Sequence, residues 1–212
     1  MQKKILAICA ALVVFGLVPA NASAFKQLVE GAGNPVKAGS EITATNVGNT
    51  VLTSSAGPVE CAVSKMHGTV TKNEAGAIEG DISTATFEGA TAGSKCTGSF
   101  GATGVKVTSL PWCVKQSKTT GTYELRGGTC SEAAKPLTFT LETSFFGNCN
   151  YERTTPVTGK MTNNSVGGVT SAHLNAEKVV FTRTSGFCPA AGELDMTYKL
   201  ETSNGTALQW EL

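Results

Sequence analysis

Two pairs of carboxylates stand two residues apart in this chain, Glu79 with Asp81 and Glu193 with Asp195. In a strand that spacing puts both acids of a pair on one face. Two facing carboxylates are the machinery of glycoside hydrolysis, one serving as acid and the other as base or nucleophile. Such pairs are more often solvated strand faces, and that is the preferred reading. Other chemistry is thinly supplied. His67 and His173 are the only histidines, and neither has a second His or Cys at metal-ligand spacing. Asp81 and Asp195 are the only aspartates, so a Ser-His-Asp triad is cramped, and no G-x-S-x-G turn occurs. Calcium needs clustered oxygens, and no D-x-D run exists. The glycine-rich stretch 98–104 lacks the Lys-Ser/Thr ending of a phosphate loop. No catalytic residue, metal ligand or cofactor is assigned.

Ligand binding has three aromatic candidates. Trp112, Tyr123 and Tyr151 are the rings from which a sugar-stacking platform would be built. Trp112 lies in Leu110-Pro111-Trp112-Cys113, where a tryptophan beside a cysteine suits a core ring packed on a disulfide, and that is the preferred reading.

The elements that would position these residues begin after an address. Lys3 and Lys4 precede an apolar run over 5–18, too short to span a bilayer comfortably, and Pro19 ends it. Small residues follow at Ala20, Ala22 and Ala24, the pattern that signal peptidase needs. Residues 1–24 therefore read as a signal peptide, and 25–212 as the exported domain. No second apolar stretch is long enough for a transmembrane helix. Removing Lys3 and Lys4 leaves fifteen basic residues against sixteen acidic ones, without a basic stripe, so nucleic acid is not the partner. A glycan or an envelope protein is the expected class.

Removing Cys9 with the signal leaves Cys61, Cys96, Cys113, Cys130, Cys149 and Cys188. An even set in an exported chain is a disulfide framework, with fifteen possible connectivities. No C-x-x-C pair points to zinc instead.

Strand signals dominate. Leu194, Met196, Tyr198 and Leu200 alternate with Asp195, Thr197, Lys199 and Glu201. Leu137, Phe139 and Leu141 repeat the pattern, as do Val59, Cys61 and Val63, which points Cys61 inward. Shorter strands are expected at 40–46, 68–72, 77–87, 103–109, 121–126, 156–162 and 178–184, and a last one around Leu208 and Trp210. Turns are expected at Gly48-Asn49, Gly57-Pro58, Ala75-Gly76, Gly127-Gly128, Asn163-Asn164, Gly167-Gly168 and Asn204-Gly205. One helical turn is expected at 131–135. The fold class is all-β, a single antiparallel β-sandwich or β-barrel-like domain. The terminal strand also has the alternating form that closes an outer-membrane barrel, but aromatic girdles are missing.

The chain also reads as two similar halves, about 40–110 and 136–202, with 111–135 inserted. Cys61 followed by Gly68-Thr69-Val70-Thr71-Lys72-Asn73 parallels Cys149 followed by Gly159-Lys160-Met161-Thr162-Asn163-Asn164. Each segment leads to a phenylalanine, Phe87 or Phe181, and then to Cys96 or Cys188. That alignment favours Cys61–Cys96, Cys113–Cys130 and Cys149–Cys188 as the bridges.

The segments 42–61, 110–113, 149–153 and 194–202 resemble those of a large group of exported proteins from soil actinobacteria, over nearly the whole mature chain. The resemblance implies export and a cysteine-framed β fold. That group has no assigned activity, so no functional residue carries over. The function expected is therefore an exported non-catalytic binding or structural domain at the envelope or outside it. A secreted carboxylate-dependent hydrolase and a small-molecule carrier in a barrel are the alternatives. N-terminal sequencing of exported protein is expected to begin at Phe25; a start at Met1 would refute the signal peptide.

Overall fold

Period-two alternation becomes strand almost everywhere in this chain. The computed structural model describes residues 27–31, 33–117, 121–166 and 168–211. The expected signal peptide, with Cys9, and the expected new terminus at Phe25 lie outside the described residues. In chain order the strands are β1 (Gln27–Glu30), β2 (Glu41–Asn46), β3 (Thr50–Ser54), β4 (Gly57–Cys61), β5 (Val63–Glu74), β6 (Ala77–Glu88), β7 (Thr97–Gly98), β8 (Ala102–Val107), β9 (Trp112–Gln116), β10 (Thr122–Gly127), β11 (Leu137–Thr143), β12 (Gly147–Arg153), β13 (Val157–Val166), β14 (Val169–Ser185), β15 (Ala191–Thr202) and β16 (Leu208–Glu211). One 3-10 turn, Ser99–Gly101, is the only helical element among the described residues, and no helix there is long and apolar enough to cross a membrane.

Eight strands close a barrel in the order β15-β2-β5-β6-β9-β10-β13-β14, with β14 pairing back onto β15, and every ladder is antiparallel. Of the two expected architectures, the barrel is the one present. Met66, Val70, Ile78, Leu125, Met161, Tyr198 and Leu200 are among the residues that fill its core. Glu41, Thr43, Lys65, His67, Lys115, Lys199 and Glu201 alternate with the filling on the other face. Apolar in and polar out is the inverse of a membrane-spanning barrel.

The long hairpin β14–β15 runs on past this ring. Beyond it β15 pairs with β3 at Gly192–Asp195, and β14 pairs with β12 from Thr182. These carry β4 and β7 on one side, and β11 and β8 on the other. The two free ends, β7 and β8, are joined by the turn Ser99–Gly101. The outer strands thus curl into a second ring that shares the β14–β15 ribbon with the first.

That sharing requires a change of phase. Before the junction the inward residues of β14 are Ala172, Leu174 and Ala176; after it they are Val179 and Phe181. Glu177 and Lys178 together sit opposite Asp195, a bulge that adds one residue and flips the parity. Lys178 takes a left-handed φ of 53°, and its N–H donates to Asp195 Oδ1 at 2.7 Å. Strand β6 uses the same device. Ser83 is extra between the pairs His67–Thr84 and Gly68–Ile82, and inward positions shift from Ile82 to Ala85 and Phe87.

The end of the first barrel away from the second ring is plugged by β1 paired with β16. Two asparagine side chains pin this ribbon as if they were ladder rungs. Asn73 accepts from Leu28 N at 2.7 Å and donates to Leu28 O at 2.7 Å; Asn163 accepts from Trp210 N at 2.9 Å and donates to Trp210 O at 2.8 Å. This is why the turn expected at Asn163-Asn164 is strand instead: tertiary partners replace the local hydrogen bonds that would have made a turn. The helical turn expected at 131–135 is an irregular loop. The buried Arg126 guanidinium gathers the carbonyls of Gly127, Cys130 and Glu132, which draws them away from a helical ladder.

The three disulfides are Cys61–Cys96, Cys113–Cys130 and Cys149–Cys188, as the alignment of halves favours. Each closes a loop worth about 3–4 kcal/mol on chain-entropy grounds.

Asp195→Ala removes the carboxylate that holds the bulge and is expected to cost about 1–2 kcal/mol in urea unfolding. Lys178→Gly relieves the left-handed residue and is expected to be neutral or stabilising by up to about 1 kcal/mol. Equal losses in both variants would contradict this account of the bulge.

Candidate functional site

The carboxylate pairs do not converge on a cleft. Glu79 and Asp81 lie on the outer face of β6, opposite Lys115 and Cys113 of β9. Asp81 Oδ1 accepts from Cys130 N at 2.6 Å, so this carboxylate anchors the loop that follows β10. Asp195 is likewise occupied, by the backbone of Lys178. Among the described residues the one close grouping of metal-ligand types is Asp81, Cys113 and Cys130, within 4.8 Å of one another. Both sulfurs are joined in a disulfide, so the grouping offers no thiolate.

The nearest approach to a catalytic array lies on β13 and β14. Ser171 Oγ is 3.0 Å from His173 Nε2, and Asn164 Nδ2 is 3.2 Å from His173 Nδ1. An amide N–H donating to Nδ1 leaves the proton on Nε2, which then donates to Ser171. A nucleophilic serine needs the opposite, an Nε2 that accepts its proton. Ser171 and His173 are also buried, at 7% and 2% exposure, and neither lines the two interior cavities found among the described residues. The array is a structural network, and its chemistry is that of a neutral histidine. Burial of the ring holds its pKa below the ordinary value, and Lys199 on the neighbouring strand adds a smaller push in the same direction. His67 stands apart on β5, its Nδ1 3.0 Å from Thr43 Oγ1.

The three aromatic candidates are all core residues. Trp112, Tyr123 and Tyr151 are 7%, 3% and 1% exposed, so none offers a ring face to a sugar. Trp112 Nε1 donates to Ser109 Oγ at 3.0 Å. Tyr151 stacks on Phe139 with centroids 5.3 Å apart, and its hydroxyl donates to Pro189 O at 2.9 Å. Tyr123 packs over the backbone of Gly159, where any Cβ would strike its ring. Burial raises the Tyr123 pKa, and Tyr198 nearby raises it further. Tyr198 itself is held on Ser64 Oγ at 2.5 Å, and burial raises its pKa too.

Nor does the interior hold a ligand-sized space. Two apolar cavities meet at Met66, one lined by Trp112, Phe87 and Phe181, the other by Tyr123, Met161 and Trp210. They leave about 40 and 50 Å³ of free volume. A carrier site takes roughly 300 Å³ or more.

What remains is a surface that the sequence reading passed over. Four loops with their flanking strand ends meet at the end of the second ring opposite the plug, over 54–58, 97–103, 143–150 and 184–192. None of them contains Asp, Glu, Lys or Arg, in a chain of which 16% is charged. Phe145, Phe146 and Phe187 stand on two of these loops, 76%, 42% and 85% exposed. The Cys149–Cys188 bridge clamps those two loops together, and Cys188 N donates to Cys149 Sγ at 3.1 Å. Gly186, at φ 93°, lets the chain lie against that disulfide, where a Cβ would meet Cys149 Sγ. Arg183 turns its guanidinium back onto the carbonyl of Cys188. The available signal was Phe145-Phe146-Gly147 between two strands, apolar residues where a turn should be polar.

No protein-family model matches this chain, and comparison with curated proteins and with solved structures found no match.

His173 is neutral when folded, and its pKa is depressed. Below about pH 6.5 the unfolded chain binds a proton that the folded chain does not. Stability therefore falls as pH drops from about 6.5 toward the depressed folded value, and His173 contributes no pH dependence above that range. His173→Gln is expected to flatten this part of the Tm–pH curve; an unchanged slope in the variant would rule His173 out as its source.

Proposed function

We propose that this chain is an exported, non-catalytic β-barrel domain that works by attachment, at the cell envelope or outside it. The attaching surface is the charge-free end that carries Phe145, Phe146 and Phe187. The observation that carries this reading is the pairing of that end with a filled interior. Apolar rings are held open to solvent on one clamped end, while the core aromatic residues are packed away. Exposed apolar clusters on a soluble domain mark interaction sites.

Export is supported by the signal-like segment 1–24 and by three disulfides, which persist in oxidising compartments. The carboxylates best placed for hydrolysis, Asp81 and Asp195, are holding backbone N–H groups instead.

The test is retention of the exported domain on a cell-envelope preparation. The variant F145S/F187S is expected to lose at least about ten-fold in retention with its Tm unchanged, because these two side chains are 76% and 85% exposed. Equal retention of variant and wild type, or no retention of the wild type, would overturn the reading.

A further inference from the structure

We infer that the partner of the four-loop end is a lipid bilayer surface, with Phe145 and Phe187 as the anchoring rings and Phe146 beside them. The inference rests on the attachment reading above and names what is attached to. The rings would sit at the headgroup–acyl boundary, holding the domain on the membrane without spanning it.

Shape and area separate a bilayer from a protein partner. Phe145, between β11 and β12, and Phe187, between β14 and β15, stand at turn apexes, and Phe146 beside Phe145 is 42% exposed. At roughly 200 Å² per ring, their exposed fractions amount to about 400 Å². A stable protein interface or homodimer buries about 800 Å² on each side, twice this area. By themselves the three rings fall short of a stable dimer contact and suffice for a membrane anchor.

Charge points the same way. The four loops present no ionised side chain to be dehydrated on insertion. They also present no lysine or arginine cluster with which to select anionic lipid. The expected surface is therefore bound through apolar contact, without dependence on headgroup charge.

The backbone of the tip is prepared for a poorly hydrated environment, where an unpaired N–H or C=O is costly. Ser144 N donates to Gly101 O at 2.8 Å, tying two of the loops together. Phe146 N donates to Thr143 Oγ1 at 2.9 Å, and that hydroxyl donates to Gly147 O at 2.9 Å. Pro189 O accepts from Tyr151, Cys188 O accepts from Arg183, and Cys188 N donates to Cys149 Sγ. The apexes that carry the rings thus meet many of their polar needs internally.

The experiment is co-sedimentation of the exported, disulfide-bonded domain with vesicles. One set is pure phosphatidylcholine, and a second includes phosphatidylglycerol; both are run at low and high salt. The domain is expected to bind both sets with little effect of salt. F145S and F187S are each expected to weaken partitioning at least about ten-fold, while F145W, which keeps an interfacial ring, retains it. Unchanged Tm values confirm that the variants fold. Four results would overturn the inference: no binding to either vesicle, binding only to the anionic set and lost in salt, binding unaffected by F145S and F187S, or self-association of the wild type in solution that those variants relieve. Envelope retention that needs the phenylalanines, without vesicle binding, would remove the lipid partner and leave the attachment reading standing.

Discussion

The structure depends on one ribbon belonging to two rings. Strands β14 and β15 complete the eight-stranded barrel and then continue as the middle of the outer sheet. Strand β15 does this without interruption, its even-numbered residues facing inward from Gly192 to Leu200. Its partner cannot. The bulge at Glu177 and Lys178 shifts β14 by one residue, so that Val179 and Phe181 face in where a regular strand would have turned Val180 and Thr182 inward. Without that shift the second ring would lose the apolar face of one central strand. The Asp195 carboxylate, which resembled half of a catalytic pair, is the group that holds the shift in place.

The two ends of the filled double ring differ. One end is closed by the terminal ribbon, with Trp210 packed inside and two asparagines replacing ladder bonds. The other end is made of loops alone. There the Cys149–Cys188 bridge joins the segments that carry Phe145, Phe146 and Phe187. Disulfides in a charge-poor chain thus do two things. They stabilise strand pairs, and at this end one of them ties together the two turns that carry exposed phenylalanines.

Much of the architecture was legible locally. Strands β2, β6, β8, β10, β11 and β15 lie where alternation placed them, within a residue or two. The cysteine pairing followed from lining up two halves, and all three bridges agree. Strand β14 was only half legible, since 178–184 alternates but the parity break at 177–178 hides its continuity with 169–176. The asparagines of β13 read as a turn because their partners, Leu208–Glu211 and His173, are remote in sequence or across a ladder. Trp112, Tyr123 and Tyr151 looked like platform candidates because sequence cannot distinguish a core ring from an exposed one.

By itself the sequence determined the all-β class, the alternation of many strands and the spacing of six cysteines from Cys61 to Cys188. These are properties of neighbouring residues and of composition, so no fold is needed to read them. Only the tertiary structure decided that the sheet closes as a barrel, that the candidate acids bind backbone, and that four uncharged loops meet at one end. Each of these depends on which distant segments become neighbours, and ring closure through a bulged ribbon is what makes them so.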